Sequence, residues 1–197
     1  MGNLCLTKDL EFTKELKCKM ITEYFCKAVA LREGGVVILA GSDSDQKHID
    51  EIVGGLEKYK LPYEVRIASA HKQPSEVFSL IMEYDALHAP LAYVTVAGGT
   101  DALSGMVAFH ALHPVISCPP ESSNAVNESC LSNPSGSSNA YIAKPANLAR
   151  FLAQMFSSVN KKCENILEEE RRNKIDILRK KDEQLQKQYV QRLVKIT

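Results

Sequence analysis

Residues 36–45 read VVILAGSDSD, an apolar run followed by a glycine, two serines and two aspartates. The apolar residues predict a buried strand, and residues 46–59 predict a helix. A tight strand-to-helix turn therefore begins at Gly41. Such a turn suits an anion, because glycine admits close approach of the backbone and the first N–H groups of a helix are unpaired. The sequence thus predicts a phosphate-binding turn here.

The same alternation of strands and helices continues along the chain. Apolar runs predict further strands at 63–68, 91–96, 115–118 and 140–143, with helices after Pro74, at 102–112 and after Pro145. A chain that alternates in this way forms a parallel sheet with helices on both faces, so the predicted fold class is α/β. Ligands of such sheets bind at the carboxyl ends of the strands.

Two more turns that carry reactive or ligand-binding groups follow strands at that edge. Residues 69–72 read SAHK, and residues 97–100 read AGGT. His71 offers a proton shuttle, Lys72 offers a cation, and Gly98 and Gly99 offer backbone N–H donors. Taken singly, each has a structural explanation: a histidine at a strand end, a solvated lysine, a tight turn. Together they favour one site for a phosphorylated substrate and acid–base chemistry.

Composition narrows the function classes. The 24 basic and 24 acidic residues give a net charge of zero, which argues against a nucleic-acid binder. The cysteines show no CxxC pair and no secretory signal is recognised, so we expect reduced thiols and a cytoplasmic location. Charged residues interrupt every apolar run, so no membrane association is expected. The histidines are not spaced like metal ligands, and we expect no metal.

The two ends of the chain differ from its centre. Residues 1–34 predict an N-terminal helical extension that stops at Gly34-Gly35, and residues 35–158 form the predicted catalytic domain. Residues 159–197 predict a long charged helix whose narrow apolar stripe favours packing on a neighbouring subunit. A solvated helix is the alternative. A further hypothesis is that the protein is an interaction module, in which the terminal helices bind a different protein and the α/β body is the scaffold.

Four strings in order carry a family resemblance: GSDSD at 41–45, SAHK at 69–72, AGG at 97–99 and PVISCPP at 114–120. With Leu103 and Gly105-Met106, they make residues 35–156 resemble the phosphoribosylaminoimidazole carboxylase family of de novo purine synthesis. The resemblance implies a three-layer flavodoxin-like sandwich and no cofactor. It also implies a symmetric homo-oligomer, commonly an octamer, with sites made at subunit boundaries.

The family contains two kinds of enzyme. One moves a carboxylate from the exocyclic amine of carboxyaminoimidazole ribonucleotide to ring carbon 4; the other adds carbon dioxide directly to aminoimidazole ribonucleotide. Lys72 and residues 117–120 and 134–136 resemble the direct carboxylase, whereas the Gly98-Gly99 pair with its following residues resembles the mutase. We expect direct carboxylation, with the mutase as the alternative.

Two positions depart from the direct-carboxylase pattern, which has arginines where this chain has Gly99 and Ser132. Guanidinium groups are the usual partners of phosphate and carboxylate groups. Without them, Lys72 and backbone amides have to compensate. Reduced affinity, or a degenerate homologue without activity, is therefore a third interpretation.

Roles follow for individual residues. We expect His71 to accept the proton that leaves carbon 4, and Asp45 to accept hydrogen bonds from ribose hydroxyls or the exocyclic amine. Ser44 is interpreted as a helix N-cap, and Cys118 as a buried thiol rather than a nucleophile, because no separate histidine is evidently paired with it. The predicted substrate-binding residues are Gly41, Ser42, Asp45, Ser69, Lys72, Gly98, Gly99 and Ser104. The predicted carbon dioxide pocket consists of Ser117, Cys118 and Pro119.

Overall fold

The computed structural model describes residues 21–120 and 127–194. Five strands form one sheet: β1 Gly35–Ala40, β2 Tyr63–Ile67, β3 Leu91–Val96, β4 Val115–Ser117 and β5 Ala140–Tyr141. All neighbours are parallel, in the order β2-β1-β3-β4-β5. This is the strand order of the flavodoxin-like doubly wound fold. The predicted fold class is confirmed.

Helices cover both faces of the sheet. They are α1 Glu23–Val29, α2 Gln46–Lys58, α3 Pro74–Asp85, α4 Ala102–His110, α5 Pro145–Phe156 and α6 Lys161–Val194. One buried cluster joins the sheet to α2, α5 and the start of α6, and a second joins it to α1, α3 and α4. The molecule is therefore the predicted three-layer sandwich, with an apolar core on each side of the sheet.

The central strands bring the predicted turns to one edge. Every residue of β1 and β3 is buried, which explains their continuous apolar runs. Ala40, the last residue of β1, pairs with Ile67 of β2 and with Val96 of β3. The loops that leave these three strands consequently begin at the same level.

Several predicted element ends differ by a few residues. The helix predicted to reach residue 112 ends at His110, because the Leu112 N–H donates to the Asp85 carboxylate (2.8 Å) instead of continuing the helix. The strand predicted at 140–143 is limited to Ala140–Tyr141. The Ile142 N–H still donates to the Ser117 carbonyl (3.0 Å), which extends the contact with β4 by one residue.

The chain enters the sheet through a short helix and a glycine. The Thr22 hydroxyl caps α1 by accepting the Phe25 N–H (3.2 Å). Gly34 has φ of 98°, and a Cβ there would lie 2.5 Å from the Phe156 ring, so both backbone conformation and packing require glycine. The rest of the predicted leading helix, residues 1–20, lies outside the described residues.

The predicted long C-terminal helix is confirmed as α6, and only its first part packs on the body. Cys163 is buried, and the Glu170 carboxylate accepts hydrogen bonds from Tyr59 (2.6 Å), Arg150 (2.6 Å) and Lys58. Burial opposes the charge on Glu170, but the hydrogen bonds from Lys58 and Tyr59 outweigh it and hold the pKa of this carboxyl below its usual value. Residues 171–192 are exposed.

Candidate active site

The three predicted turns line one cleft of about 550 Å³ at the carboxyl edge of the sheet. His71 and Ser42 border the same space, although they lie 29 positions apart in the sequence. The lining residues are Gly41, Ser42, Ser44, Asp45, Ser69, Ala70, His71, Ala97, Gly98, Gly99, Thr100, Ala102, Leu103 and Pro120. They include the carboxylate of Asp45, and within the described part of the chain they include no lysine or arginine.

The first turn is ordered by its own hydroxyl groups. The Gly41 N–H donates to the Val96 carbonyl (2.9 Å), which ties the turn to β3. The Ser42 hydroxyl accepts the Ser44 N–H (3.2 Å) and caps a short 3-10 turn at Asp43–Asp45 that leads into α2. The capping hydroxyl is therefore that of Ser42, not of Ser44 as the sequence suggested, and Asp45 stands at the N-cap position of α2 without a side-chain cap hydrogen bond. This occurs because a 3-10 turn precedes the α-helix and moves the cap towards the strand.

The second turn presents His71 to the cleft. The Gln73 and Lys72 N–H groups both donate to the Ser69 carbonyl (2.7 and 3.2 Å), closing a turn before α3. Ser69 and His71 line the cleft, and the His71 side chain is exposed. Lys72 is also exposed but is not among the lining residues. Of the predicted pair, the structure brings the imidazole to the cleft and leaves the ammonium group outside its described lining.

The third turn approaches the first one closely. A methyl group built on Gly98 would lie 3.3 Å from Pro120 Cγ and 3.5 Å from Asp45 Oδ1, so any side chain here would press on Pro120. At Gly99, by contrast, an added Cβ would meet nothing within 4 Å. The position where the direct-carboxylase pattern has an arginine therefore has room for a side chain.

A second layer of polar side chains holds this third turn. The Asn127 amide donates to the carbonyls of Ala97 (3.3 Å) and Gly99 (2.9 Å). The Asp101 N–H donates to the Ser129 hydroxyl (2.8 Å), and the Asp101 carboxylate caps α4 by accepting the Ser104 N–H (2.8 Å). Sequence reasoning missed these residues. Asp101 before a helix carried a capping pattern, whereas Asn127 and Ser129 lie in a loop without periodicity.

Four predicted site residues are buried and do not line the cleft: Ser104, Ser117, Cys118 and Pro119. The Ser117 hydroxyl accepts the Asn139 amide (2.7 Å), while no hydrogen-bond partner within the described residues is found for the Ser104 hydroxyl. Burial raises the pKa of the Cys118 thiol to about 12, so the thiol is uncharged at neutral pH. Pro120, the next residue, is the one that reaches the cleft.

Cys118 does have a histidine beside it. His48 Nε2, on α2, lies 3.5 Å from the Cys118 sulfur and 3.0 Å from the Cys118 carbonyl oxygen. The expectation that no separate histidine approaches this cysteine was wrong, because 70 residues of sequence separate the pair. The contact forms because α2 packs beside the end of β4, which the sequence does not show.

In residues 21–120 and 127–194, His, Cys, Asp and Glu side chains form no group of three or more that could hold a metal ion. None of the helices in these ranges combines the length and the apolar character that crossing a bilayer requires.

Comparisons with known proteins agree with the fold. The sequence model of the AIR carboxylase family matches residues 35–176. A phosphoribosylaminoimidazole carboxylase of Treponema denticola is 40% identical over 129 residues, covering 64% of this chain and 81% of that protein. A protein of the same name from Archaeoglobus fulgidus is 31% identical, covering 89% of this chain and 98% of that protein.

This chain is also similar to part of some longer proteins and to a solved structure. The Homo sapiens bifunctional phosphoribosylaminoimidazole carboxylase/phosphoribosylaminoimidazole succinocarboxamide synthetase is 36% identical, but the match spans only 30% of its length. The crystal structure of Treponema denticola PurE superposes with a TM-score of 0.72 at 35% identity, covering 77% of this chain and 98% of that chain.

Proposed function

The chain belongs to the AIR carboxylase family, and on that premise we propose that it adds carbon dioxide directly to carbon 4 of aminoimidazole ribonucleotide in purine biosynthesis. The observation that carries the proposal is the single cleft shared by the Ser42 turn, His71 and the Gly98-Gly99 turn. These are the groups that a phosphorylated, proton-releasing substrate needs.

The phosphate binds at the Ser42 turn. Backbone N–H groups at the start of the 3-10 turn and of α2 form the positive end of the helix dipole, which favours an anion. The Gly98 and Gly99 amides add donors, and Gly41, whose own N–H is bonded to Val96, admits the ligand without side-chain bulk. Ser69, which borders the cleft beside His71, adds a hydroxyl.

Asp45 binds the uncharged part of the ligand. A carboxylate repels phosphate, so Asp45 accepts hydrogen bonds from the ribose hydroxyls or from the exocyclic amine. Its place between the first turn and Gly98 leaves the carboxylate within the cleft. Lys72, adjacent to His71 in sequence, supplies positive charge to the phosphate or to the new carboxylate.

The reaction needs a nucleophilic carbon and a base. The aminoimidazole ring is an enamine, so the electron pair at carbon 4 attacks the carbon of carbon dioxide, and one C=O π bond opens to give a carboxylate. Carbon 4 then carries both the new carboxylate and its original hydrogen. His71 accepts that hydrogen as a proton, and the C–H electron pair restores the aromatic ring.

Carbon dioxide is held beside the proline wall. Pro120 borders the cleft, and the predicted pocket residues Ser117, Cys118 and Pro119 are buried behind it. An apolar, water-poor surface suits a small uncharged gas molecule. We expect no metal or organic cofactor in this chemistry, because the enamine supplies the nucleophile.

The mutase reaction is the second candidate, and the observation in its favour is Gly99, which stands where the direct-carboxylase pattern has an arginine. In that reaction the same His71 relays a proton while the carboxylate moves from the exocyclic amine to carbon 4. The same glycine also favours a homologue that binds poorly or not at all. The three alternatives give different results with purified protein.

A paired assay separates them. The protein is incubated without ATP, either with aminoimidazole ribonucleotide and bicarbonate or with carboxyaminoimidazole ribonucleotide, and the carbon 4 carboxylate product is measured. Direct carboxylation predicts turnover of the first substrate, mutase activity predicts turnover of the second, and a degenerate homologue turns over neither. His71→Asn should lower kcat roughly 10²–10⁴-fold, the range attributed to a general acid–base group, whereas Lys72→Ala should mainly raise KM.

Assembly completes the proposal. Residues 171–192 of α6 are exposed, with Ile175, Leu178, Leu185 and Tyr189 among them. This stripe packs on a neighbouring subunit of a homo-oligomer, an octamer by family resemblance, in the cytoplasm. Light scattering before and after deletion of residues 171–197 tests it: an unchanged particle size would argue against a role in assembly.

A further inference from the structure

His48 links α2 to the end of β4 beside the cleft. Its Nε2 lies 3.0 Å from the Cys118 carbonyl oxygen. A carbonyl oxygen can only accept, so Nε2 carries the hydrogen and donates it. The Cys118 sulfur, 3.5 Å from the same nitrogen, in turn approaches the Ala143 carbonyl at 3.7 Å. Three separate elements are thus joined at one buried cysteine.

The bonded carbonyl belongs to the peptide unit that joins Cys118 to Pro119. This peptide unit is planar, and the ring of Pro119 fixes the φ angle of that residue. The orientation of the peptide unit therefore determines where Pro120 lies. Neither Pro119 nor Pro120 has a backbone N–H with which to join the sheet. Pro120 nevertheless forms the cleft wall, close enough to Gly98 that one added methyl group would stand 3.3 Å from its ring.

A second cleft, of about 720 Å³, lies behind this wall and shares Ser44, Asp45 and Pro120 with the first. His48 lines the second cleft and is absent from the described lining of the first. The imidazole therefore contacts the wall from behind and does not face the proposed substrate.

A catalytic cysteine–histidine pair does not fit these contacts. Cys118 is buried, and its thiol is uncharged at neutral pH. Because Nε2 carries a hydrogen that it donates to the Cys118 carbonyl, this nitrogen has no free lone pair with which to accept a proton from the sulfur. The hydrogen bond from His48 therefore acts on the position of the backbone from Cys118 to Pro120.

We propose that His48 is a positioning residue that fixes Pro120 and so sets the width of the first cleft between Pro120 and Asp45. This inference rests on the proposed function only for its substrate. It predicts that loss of the His48 hydrogen bond weakens binding of aminoimidazole ribonucleotide, while the proton transfer by His71 is less affected.

Two amide variants test the reach of the donor. A glutamine side chain can place its N–H near the Nε2 position, whereas asparagine is too short. His48→Asn should raise KM for aminoimidazole ribonucleotide roughly tenfold, the effect of about one hydrogen bond, with a smaller change in kcat. His48→Gln should stay within roughly threefold of the wild type on the same scale. Glu51→Gln, an exposed change in the second cleft, is the matched control and should leave KM unchanged.

Other outcomes would overturn the proposal. An unchanged KM in His48→Asn, an equal loss in His48→Gln, or a fall in kcat at constant KM, as expected from partial unfolding, would each do so. If His48→Asn fails to fold, His48→Leu replaces it in the same comparison.

Hydrogen–deuterium exchange of residues 115–118 provides a readout independent of activity. It should rise in His48→Asn and remain at the wild-type level in His48→Gln; equal exchange in both would also refute the inference. If the wild type neither binds nor converts the ribonucleotide, the proposed function is wrong. The exchange comparison then still tests whether His48 fixes the position of Pro120.

Discussion

Introducing an arginine at Gly99 should increase the affinity of the first cleft for an anionic ligand. Gly99 lines the cleft, its backbone lies outside the left-handed region, and an added Cβ would meet nothing within 4 Å. The Asn127 amide bonds the Gly99 carbonyl, a contact that a change of side chain preserves. Gly99→Arg should therefore fold normally and place a guanidinium group among residues that otherwise offer hydroxyls, amides and one carboxylate.

The size of the effect follows from the partners available. A hydrogen bond to a charged group contributes about 1.5–3 kcal/mol, which corresponds to a roughly ten- to hundredfold lower Kd for the ribonucleotide. Asp45 shares the cleft and competes for the guanidinium group, so the lower end, about tenfold, is expected. Because Gly99 is exposed, added salt should reduce the gain.

Isothermal titration calorimetry with aminoimidazole ribonucleotide measures this directly, at low and at high salt. Gly99→Gln is the control, since it adds a long polar side chain without charge. If Gly99→Arg binds no more tightly than Gly99→Gln, or if its gain is insensitive to salt, then phosphate does not bind near this turn and the proposed orientation of the substrate is wrong.

Three other predictions concern neighbouring parts of the structure. Gly98→Ala should weaken ribonucleotide binding several-fold by pressing on Pro120, while Gly99→Ala should not, and equal affinities would contradict the close approach at Gly98. Asn127→Ala should increase hydrogen exchange in residues 97–100, because two carbonyl contacts are lost; an unchanged exchange pattern would count against that role. Glu170→Gln should lower the free energy of unfolding by about 1–2 kcal/mol at neutral pH through loss of its charged partners. Since the folded-state pKa of Glu170 is lowered, chemical denaturation should show this difference shrinking as the pH falls below the unfolded-state value of about 4.3. It should vanish only once the pH also lies below the folded-state pKa, where the carboxyl is protonated in both states.

The fold could be predicted from the sequence because its central strands, β1 and β3, are buried on both faces. Residues 36–40 and 91–96 are continuous apolar runs, and the structure pairs them side by side at the centre of the sheet. The helix ends were less certain, since a side chain far along the chain can end a helix. Asp85 does so by accepting the Leu112 N–H.

The cleft could be predicted in outline for a related reason. In a parallel sheet the turns after neighbouring strands meet at one edge, so Ser42, His71 and Gly98 were predictable as neighbours. The supporting contacts were not. Asn127 lies in a loop without periodicity, and His48 contacts Cys118 across 70 residues of sequence. Such pairs depend on how α2 and the loops pack, which no local pattern contains.

A crystal structure with bound aminoimidazole ribonucleotide would test the central claim most directly. The account predicts the phosphate at the backbone amides of the Ser42 turn, and ring carbon 4 about 3–3.5 Å from a His71 nitrogen, the separation of a reactive arrangement. A ribonucleotide bound in the second cleft, or one whose ring lies beyond the reach of His71 from its own or a neighbouring subunit, would contradict it.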